Sequence, residues 1–272
     1  MKYKQVNPMQ KWQRLSGLLT LLVLIFLILP IVIIMPLSLS SGSFLSYPMP
    51  GFSMRWYEEL LTNYKWTKAL QNSAIIGISS AVMAMVIGLM AAIGINAMKK
   101  GAARAVVMGL FIAPLMTPLI IMAVSLFLFY SKLGLSGKML GIIIAHAILG
   151  TPFVVVSVFA GLQKFDMTLM RAAKSLGASS WYAYRNVMFP ILKPAVVSGL
   201  LFAFVTSFDE IIIVLFLAGP DHITLPIRLF EGIRDELTPV VISAAMVMVL
   251  ISVGSMGLIE WVRRRSEAAK EA

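Results

Sequence analysis

The chain has 272 residues, 59% hydrophobic and 13% charged. Soluble domains carry about a quarter charged residues, so this composition describes a polytopic membrane protein, all-α and without a second, polar domain. The net charge of +11 comes from short Lys/Arg clusters beside apolar spans and follows the positive-inside bias rather than a nucleic-acid-binding surface. The absence of cysteine excludes disulfides, iron–sulfur clusters and thiolate metal sites, and two distant histidines, His146 and His222, make no metal signature.

A bilayer core of about 30 Å takes about 20 apolar residues. Six stretches meet that length: residues 15–39, 69–98, 105–130, 140–162, 195–217 and 240–262. The first is longer than a signal-peptide core and lacks a following A-x-A site, so it reads as a retained span. Small residues are dense in the second (Gly77, Ser79, Ser80, Ala81, Gly88, Ala91, Ala92, Gly94) and serve either close helix packing or a pathway lining. The third carries Pro114 and Pro118, the fourth Pro152. Proline removes an intrahelical bond, and in lipid the freed carbonyls face other helices or a water-filled cavity. His146, in the fourth span, reads as a packing residue.

Alternate loops hold 16 and 7 of the 23 Lys and Arg residues. The richer side, with Lys99, Lys100, Arg104, Lys164, Arg171, Lys174, Arg185 and Arg263 to Arg265 among others, is therefore cytoplasmic, as are both termini. On that side lies a loop, residues 163–194. Asp166 can cap a helix over residues 167–175 that brings Met167, Met170, Ala173 and Lys174 near one face. Gly177 suits a positive-φ helix stop. Ser179 or Ser180 can cap a second short helix, residues 181–188, with Pro190 and Pro194 at the start of the next span. The residues alone fit an interfacial helix on anionic lipid as well as a docking element for a protein partner.

The segment Arg171-Ala172-Ala173, three residues, Gly177, nine residues, Val187-Met188-Phe189-Pro190 resembles the EAA loop of ABC-importer permeases, whose pattern is E-A-A, three residues, G, nine residues, I-x-L-P. Arg171 stands where the family has glutamate. The resemblance implies the type I ABC importer permease fold with six transmembrane helices in one domain, residues 1–272. It makes residues 163–194 a coupling element, with Met170, Arg171, Ala172, Ala173, Lys174, Gly177, Ala178 and Pro190 meeting an ATPase subunit. The stretch from Pro48 through Met54 to Arg55-Trp56-Tyr57, and Ser207-Phe208-Asp209-Glu210-Ile211-Ile212-Ile213 followed by Gly219-Pro220 and Thr224-Leu225-Pro226, are similar to spermidine/putrescine-type permeases. Relatives for ferric iron, thiamine, phosphonates and opines share parts of these. The implied partners are a homologous second permease, two cytoplasmic ATPase subunits that bind ATP and Mg, an external periplasmic binding protein, and the lipid of a bacterial inner membrane, with no nucleic acid.

Asp209 and Glu210 form the acidic pair inside a span. A carboxylate in hydrocarbon costs at least about 2.5 kcal/mol and marks a pathway or a paired structural site. A carboxylate-lined cavity suits a polycation, which makes Phe208, Asp209 and Glu210 pathway candidates; capping a broken helix, or pairing with Arg228 or Arg234, is the structural alternative. Adjacent helical residues differ by about 100° in direction, so both carboxylates do not share one narrow channel. The loop of residues 219–239 carries Asp221, Glu231, Asp235 and Glu236 and a short helix over residues 225–237. Trp56, Tyr57, Tyr64 and Trp66 read as an interfacial belt, or as a surface for stacking on a cation. The chain has no G-x-x-x-x-G-K-[ST] loop, since Gly134-Leu-Ser-Gly137-Lys138 is too short, and no nucleophile–base pair. It therefore reads as a transport subunit that needs no cofactor of its own, not as an enzyme. A stand-alone carrier would need internal repeats that the sequence lacks.

Overall fold

The computed structural model describes residues 8–235 and 238–271. Among them every named element is helical: α1 (Pro8–Ile34), a 3-10 turn (Met35–Leu39), α2 (Arg55–Thr62), α3 (Tyr64–Ala97), α4 (Ala102–Met116), α5 (Leu119–Leu133), α6 (Met139–Gln163), α7 (Met167–Ser175), α8 (Ser180–Ala183), α9 (Phe189–Phe208), α10 (Ile212–Leu217), a 3-10 turn (Pro220–His222), α11 (Leu225–Asp235) and α12 (Pro239–Glu271). Five helical stretches are long and apolar enough to cross a membrane, and the count reaches six when the sharply bent pair α4 and α5 is taken as one broken span.

Two of the predicted spans differ in detail from the sequence reading. The third is not one kinked helix, because α4 and α5 meet at 100°. Thr117, which precedes Pro118, is extended (φ −84°, ψ 128°), as the proline ring requires of its predecessor, and no helix passes through that residue. The fifth begins earlier than expected: one stretch runs from Ser180 to Phe208. A π turn at Tyr184–Met188, closed by Phe189 N–H donating to Tyr184 O, leads into Pro190. The predicted second short helix therefore continues into the span. The same span then breaks after Phe208 and resumes as α10.

The chain forms two compact units, Met1–Thr62 with Gly232–Met246, and Asn63–Glu231 with Val247–Ala272. In the first, Leu37, Ile242 and Met246 pack with Leu45 and Met49. Trp56 Nε1–H donates to Ser40 O (2.8 Å), and Ser243 Oγ–H to Ser38 O (3.1 Å). The Arg55 guanidinium covers the Trp56 ring at 4.1 Å, so that ring is not open to a ligand cation.

In the second unit α3, α6 and α9 pack backbone to backbone. A Cβ on Gly88 would stand 2.7 Å from Val154 Cβ, and one on Gly199 2.9 Å from Val154 Cα. A Cβ on Gly150 would stand 2.9 Å from Ala203 Cβ and 3.2 Å from Ala84 Cβ. Small residues at such crossings give membrane helices the van der Waals contact that replaces the hydrophobic drive between them. This three-helix core positions both the break before α10 and the α7 element.

Candidate functional site: a broken-helix cleft and a projecting short helix

The fifth span breaks where its acidic pair lies. α9 ends at Phe208, and six apolar residues later form α10. The first backbone N–H groups of a helix have no intrahelical partner. Here the Glu210 carboxylate supplies acceptors: Ile212 N–H at 2.8 Å, Ile213 N–H at 3.0 and 2.9 Å, and Val214 N–H at 3.3 Å. An anion is also favoured at that end of the helix dipole. Glu210 thus caps the broken helix, and its side chain is 4% exposed.

Asp209 is exposed and faces a cleft of about 460 Å³. Its walls are Pro114, Leu115, Thr117 and Leu119 at the α4–α5 break, Leu149 and Phe153 of α6, and Val205, Thr206 and residues 209–212 at the α9–α10 break. Two helix interruptions far apart in sequence therefore open onto one cavity. Backbone freed from its ladder at membrane depth is tolerated where it lines such a space. Neither candidate arginine pairs with Asp209 or Glu210: Arg228 binds Glu231 at 2.8 Å and Arg234 binds Asp235 at 3.1 Å. Phe208 lies apart from the cleft walls, 2% exposed, with its ring stacked on Phe204 at 5.5 Å. An exposed carboxylate in a mostly apolar cleft attracts a cation and disfavours an anion.

The predicted short helix is present with its predicted ends. α7 starts at an Asp166 cap, whose carboxylate accepts Thr168 N–H at 2.9 Å and Thr168 Oγ–H at 2.6 Å. The Thr168 hydroxyl, followed by the backbone bond, holds the Asp166 carboxyl below the usual carboxylate range. α7 ends in a Schellman arrangement: Ala178 N–H donates to Ala173 O (3.1 Å), Gly177 N–H donates to Lys174 O (3.0 Å), and Gly177 has φ +86°. Ser179 Oγ accepts Tyr182 N–H at 3.2 Å and caps α8.

Met170 is 4% exposed and joins Leu162, Phe165, Ala183, Met188 and Leu192 in one apolar cluster. It ties α7 to the spans. Arg171, Ala172, Lys174 and Gly177 are exposed, Ala173 and Ala178 half-buried. Ala173, Leu176, Gly177, Ala178, Ser179 and Tyr182 line an open concavity of about 480 Å³. Leu176 is 89% exposed at its rim, an apolar tip with no cover. Pro190 is not part of this concavity; it sits in the continuous helix beyond the π turn.

Residues 84–267 match the family described as binding-protein-dependent transport system inner membrane component. The chain belongs to that family. This permease is 32% identical over 241 residues to the spermidine/putrescine transport system permease protein PotC of Haemophilus influenzae, covering 89% of this chain and 93% of that one. It is 30% identical over 242 residues to the putrescine transport system permease protein PotI of Escherichia coli K12, covering 87% and 85%. Among solved structures it superposes on a chain of a bacterial ABC transporter that imports the acidic polysaccharide alginate, with TM-score 0.67, 14% identity, and 95% and 96% of the two chains covered. That likeness shows the fold.

A buried polar group around Glu210 was not visible in the permease's sequence. Ser80 Oγ–H donates to Ser207 Oγ (2.9 Å), and Ser207 Oγ lies 2.7 Å from His146 Nδ1. His146 Nε2 stands 3.5 Å from Glu210 Oε2. The three side chains come from α3, α6 and α9, and only tertiary packing brings them together. The available signal was a lone histidine and scattered serines in apolar spans.

Proposed function

We propose that this permease forms half of the translocation pathway of an ATP-driven importer for a polyamine, such as putrescine or spermidine. The observation that carries the reading is Asp209, an exposed carboxylate at a helix break, facing a mostly apolar cleft. A polyamine alternates charged nitrogens with methylene chains, and such a cleft offers one group for each. The relatives named for spermidine and putrescine support the same substrate class.

The Lys/Arg-rich loops and both termini lie in the cytoplasm. A homologous permease supplies the other half of the pathway, and an external binding protein delivers the solute. Two ATPase subunits bind ATP and Mg and dock on the α7 element. Met170 anchors α7 to the apolar cluster beneath it, so movement of the docked ATPase reaches α9 and the cleft as rigid-body displacement of packed helices. Closure of the ATPase dimer on ATP then switches the cleft between inward and outward access. Arg171 alters the charge that α7 presents to its partner relative to the family glutamate.

The test is ATPase activity of the co-purified complex in lipid nanodiscs, with candidate solutes each presented on its binding protein. Stimulation by putrescine or spermidine, lost in Asp209→Asn, is expected. Stimulation by an anion or neutral solute, unaffected by Asp209→Asn, would overturn the polyamine reading and leave Asp209 a structural role.

A further inference from the structure

Ser80, His146, Ser207 and Glu210 are 0%, 1%, 5% and 6% exposed, yet no step above uses the histidine. Buried polar groups are costly unless they are partnered, and one atom of this group, His146 Nε2, has no hydrogen-bond partner. Its nearest anion is Glu210 Oε2 at 3.5 Å.

The direction of the chain of bonds follows from its Glu210 end, since at the other end the one Ser80 hydroxyl proton is shared between Ser207 Oγ (2.9 Å) and the Gly77 carbonyl (3.1 Å). Both oxygens of the Glu210 carboxylate accept backbone N–H groups, so what faces them from the histidine side is a donor. That places the ring proton on Nε2 and leaves Nδ1 an acceptor for Ser207, which in turn accepts from Ser80. At 3.5 Å the Nε2–H is too far for a full hydrogen bond, but in a low-dielectric interior it acts on the carboxylate as a fixed dipole.

We propose that His146 is a positioning residue for the cation pathway: by facing Glu210 with Nε2–H, it keeps that carboxylate on the N-terminus of α10 and leaves Asp209 as the carboxylate presented to the cleft. The inference rests on the polyamine reading for its transport consequence, though not for its geometry. Glu210 is itself part of the cleft wall, and a carboxylate released from the cap turns into that space. The cleft then carries two negative charges instead of one, which favours the more highly charged polyamine. His146 thereby sets the balance between a dication and a trication.

Two amide variants separate this role from bulk packing. Glutamine reproduces the reach of Nε2 toward Glu210; asparagine reproduces Nδ1 toward Ser207 and falls short of Glu210. Backbone hydrogen exchange is measured over residues 210–216 in the assembled complex in nanodiscs, together with the ratio of spermidine-stimulated to putrescine-stimulated ATPase activity. His146→Asn is expected to raise exchange at Ile212 to Val214 about fivefold, below the roughly tenfold or more of losing a full hydrogen bond to a charged group, and to shift the ratio toward spermidine. His146→Gln is expected to stay within about twofold of the parent, because it restores the donor. In a Glu210→Gln background, His146→Asn is expected to leave the ratio unmoved. Equal exchange in the Asn and Gln variants, or a ratio shift that survives Glu210→Gln, overturns the proposal. A parent complex that responds to neither polyamine, while exchange still rises in His146→Asn alone, keeps the positioning role and removes the polyamine reading.

Discussion

The small residues of the second span offer two roles, close packing or pathway lining, and Gly88→Ala against Gly94→Ala separates them. Both glycines lie in α3, so each substitution gains the same helix propensity, about 1 kcal/mol. At Gly94 nothing lies within 4 Å of the new Cβ. At Gly88 it would meet Val154 Cβ at 2.7 Å, Val154 Cγ1 at 2.8 Å and the Thr151 carbonyl oxygen at 3.2 Å. A comfortable carbon–carbon contact is about 3.5–4.0 Å, so α3 and α6 must part by about 1 Å. The Thr151 contact is backbone and does not rotate away. Overpacking of this kind costs about 1–3 kcal/mol. At about 2–4 °C per kcal/mol for a chain of this size, Gly88→Ala should melt several degrees below Gly94→Ala. Thermal unfolding of the two purified variants in one detergent checks it. Equal midpoints would refute the close approach of α3 to α6 and return Gly88 to the pathway-lining role.

Gly177→Ala places its Cβ in open space, so its cost is the left-handed backbone alone, about 1–2 kcal/mol; Gly177→Asn should lose less substrate-stimulated ATPase activity than Gly177→Ala, since Asn tolerates that conformation. Asp166→Ala should raise amide exchange at Thr168 and Leu169 without changing span insertion, read by hydrogen exchange. Because the folded-state carboxyl is depressed, the Asp166 cap contributes fully above the unfolded carboxyl range and is lost only as pH falls through the lower folded value. Protection at Thr168, corrected for intrinsic rate, should therefore hold from pH 8 to pH 5 and fall only in stronger acid. Asp209→Asn should lose stimulation at polyamine concentrations that saturate the parent, because removing one charged contact raises the half-maximal concentration about tenfold or more.

What the sequence disclosed and what it hid divide along the range of the forces. α7 was legible to the residue, because its ends rest on local chemistry: the Asp166 cap and the Gly177 stop act within four positions of themselves. Pro118 marked where the third span is interrupted, but not how sharply; Pro114 and Pro152 lie inside continuous helices, and the break after Phe208 has no proline at all. The 100° turn at Thr117–Pro118 and the π turn that carries α8 into α9 depend on what packs beside them. Glu210 was open between cap and pathway lining, since a helix N-terminus inside a predicted span has no local flag. Its carboxylate turned out to hold the amides of α10, while Asp209, one residue earlier, faces the cleft. The His146 group was hidden because Ser80, His146 and Ser207 belong to three helices whose contact is set by glycine packing.

The central claim is that a cytoplasmic ATPase drives these spans through the α7 element. The chain has no cysteine, so Leu176→Cys, at an 89% exposed position on the concavity rim, carries a single benzophenone label. Photolysis of the assembled complex in nanodiscs should yield an adduct with the ATPase subunit, and the yield should change between the nucleotide-free and ATP-bound states. Adducts with lipid alone in both states would contradict the account and make α7 an interfacial helix rather than a coupling element.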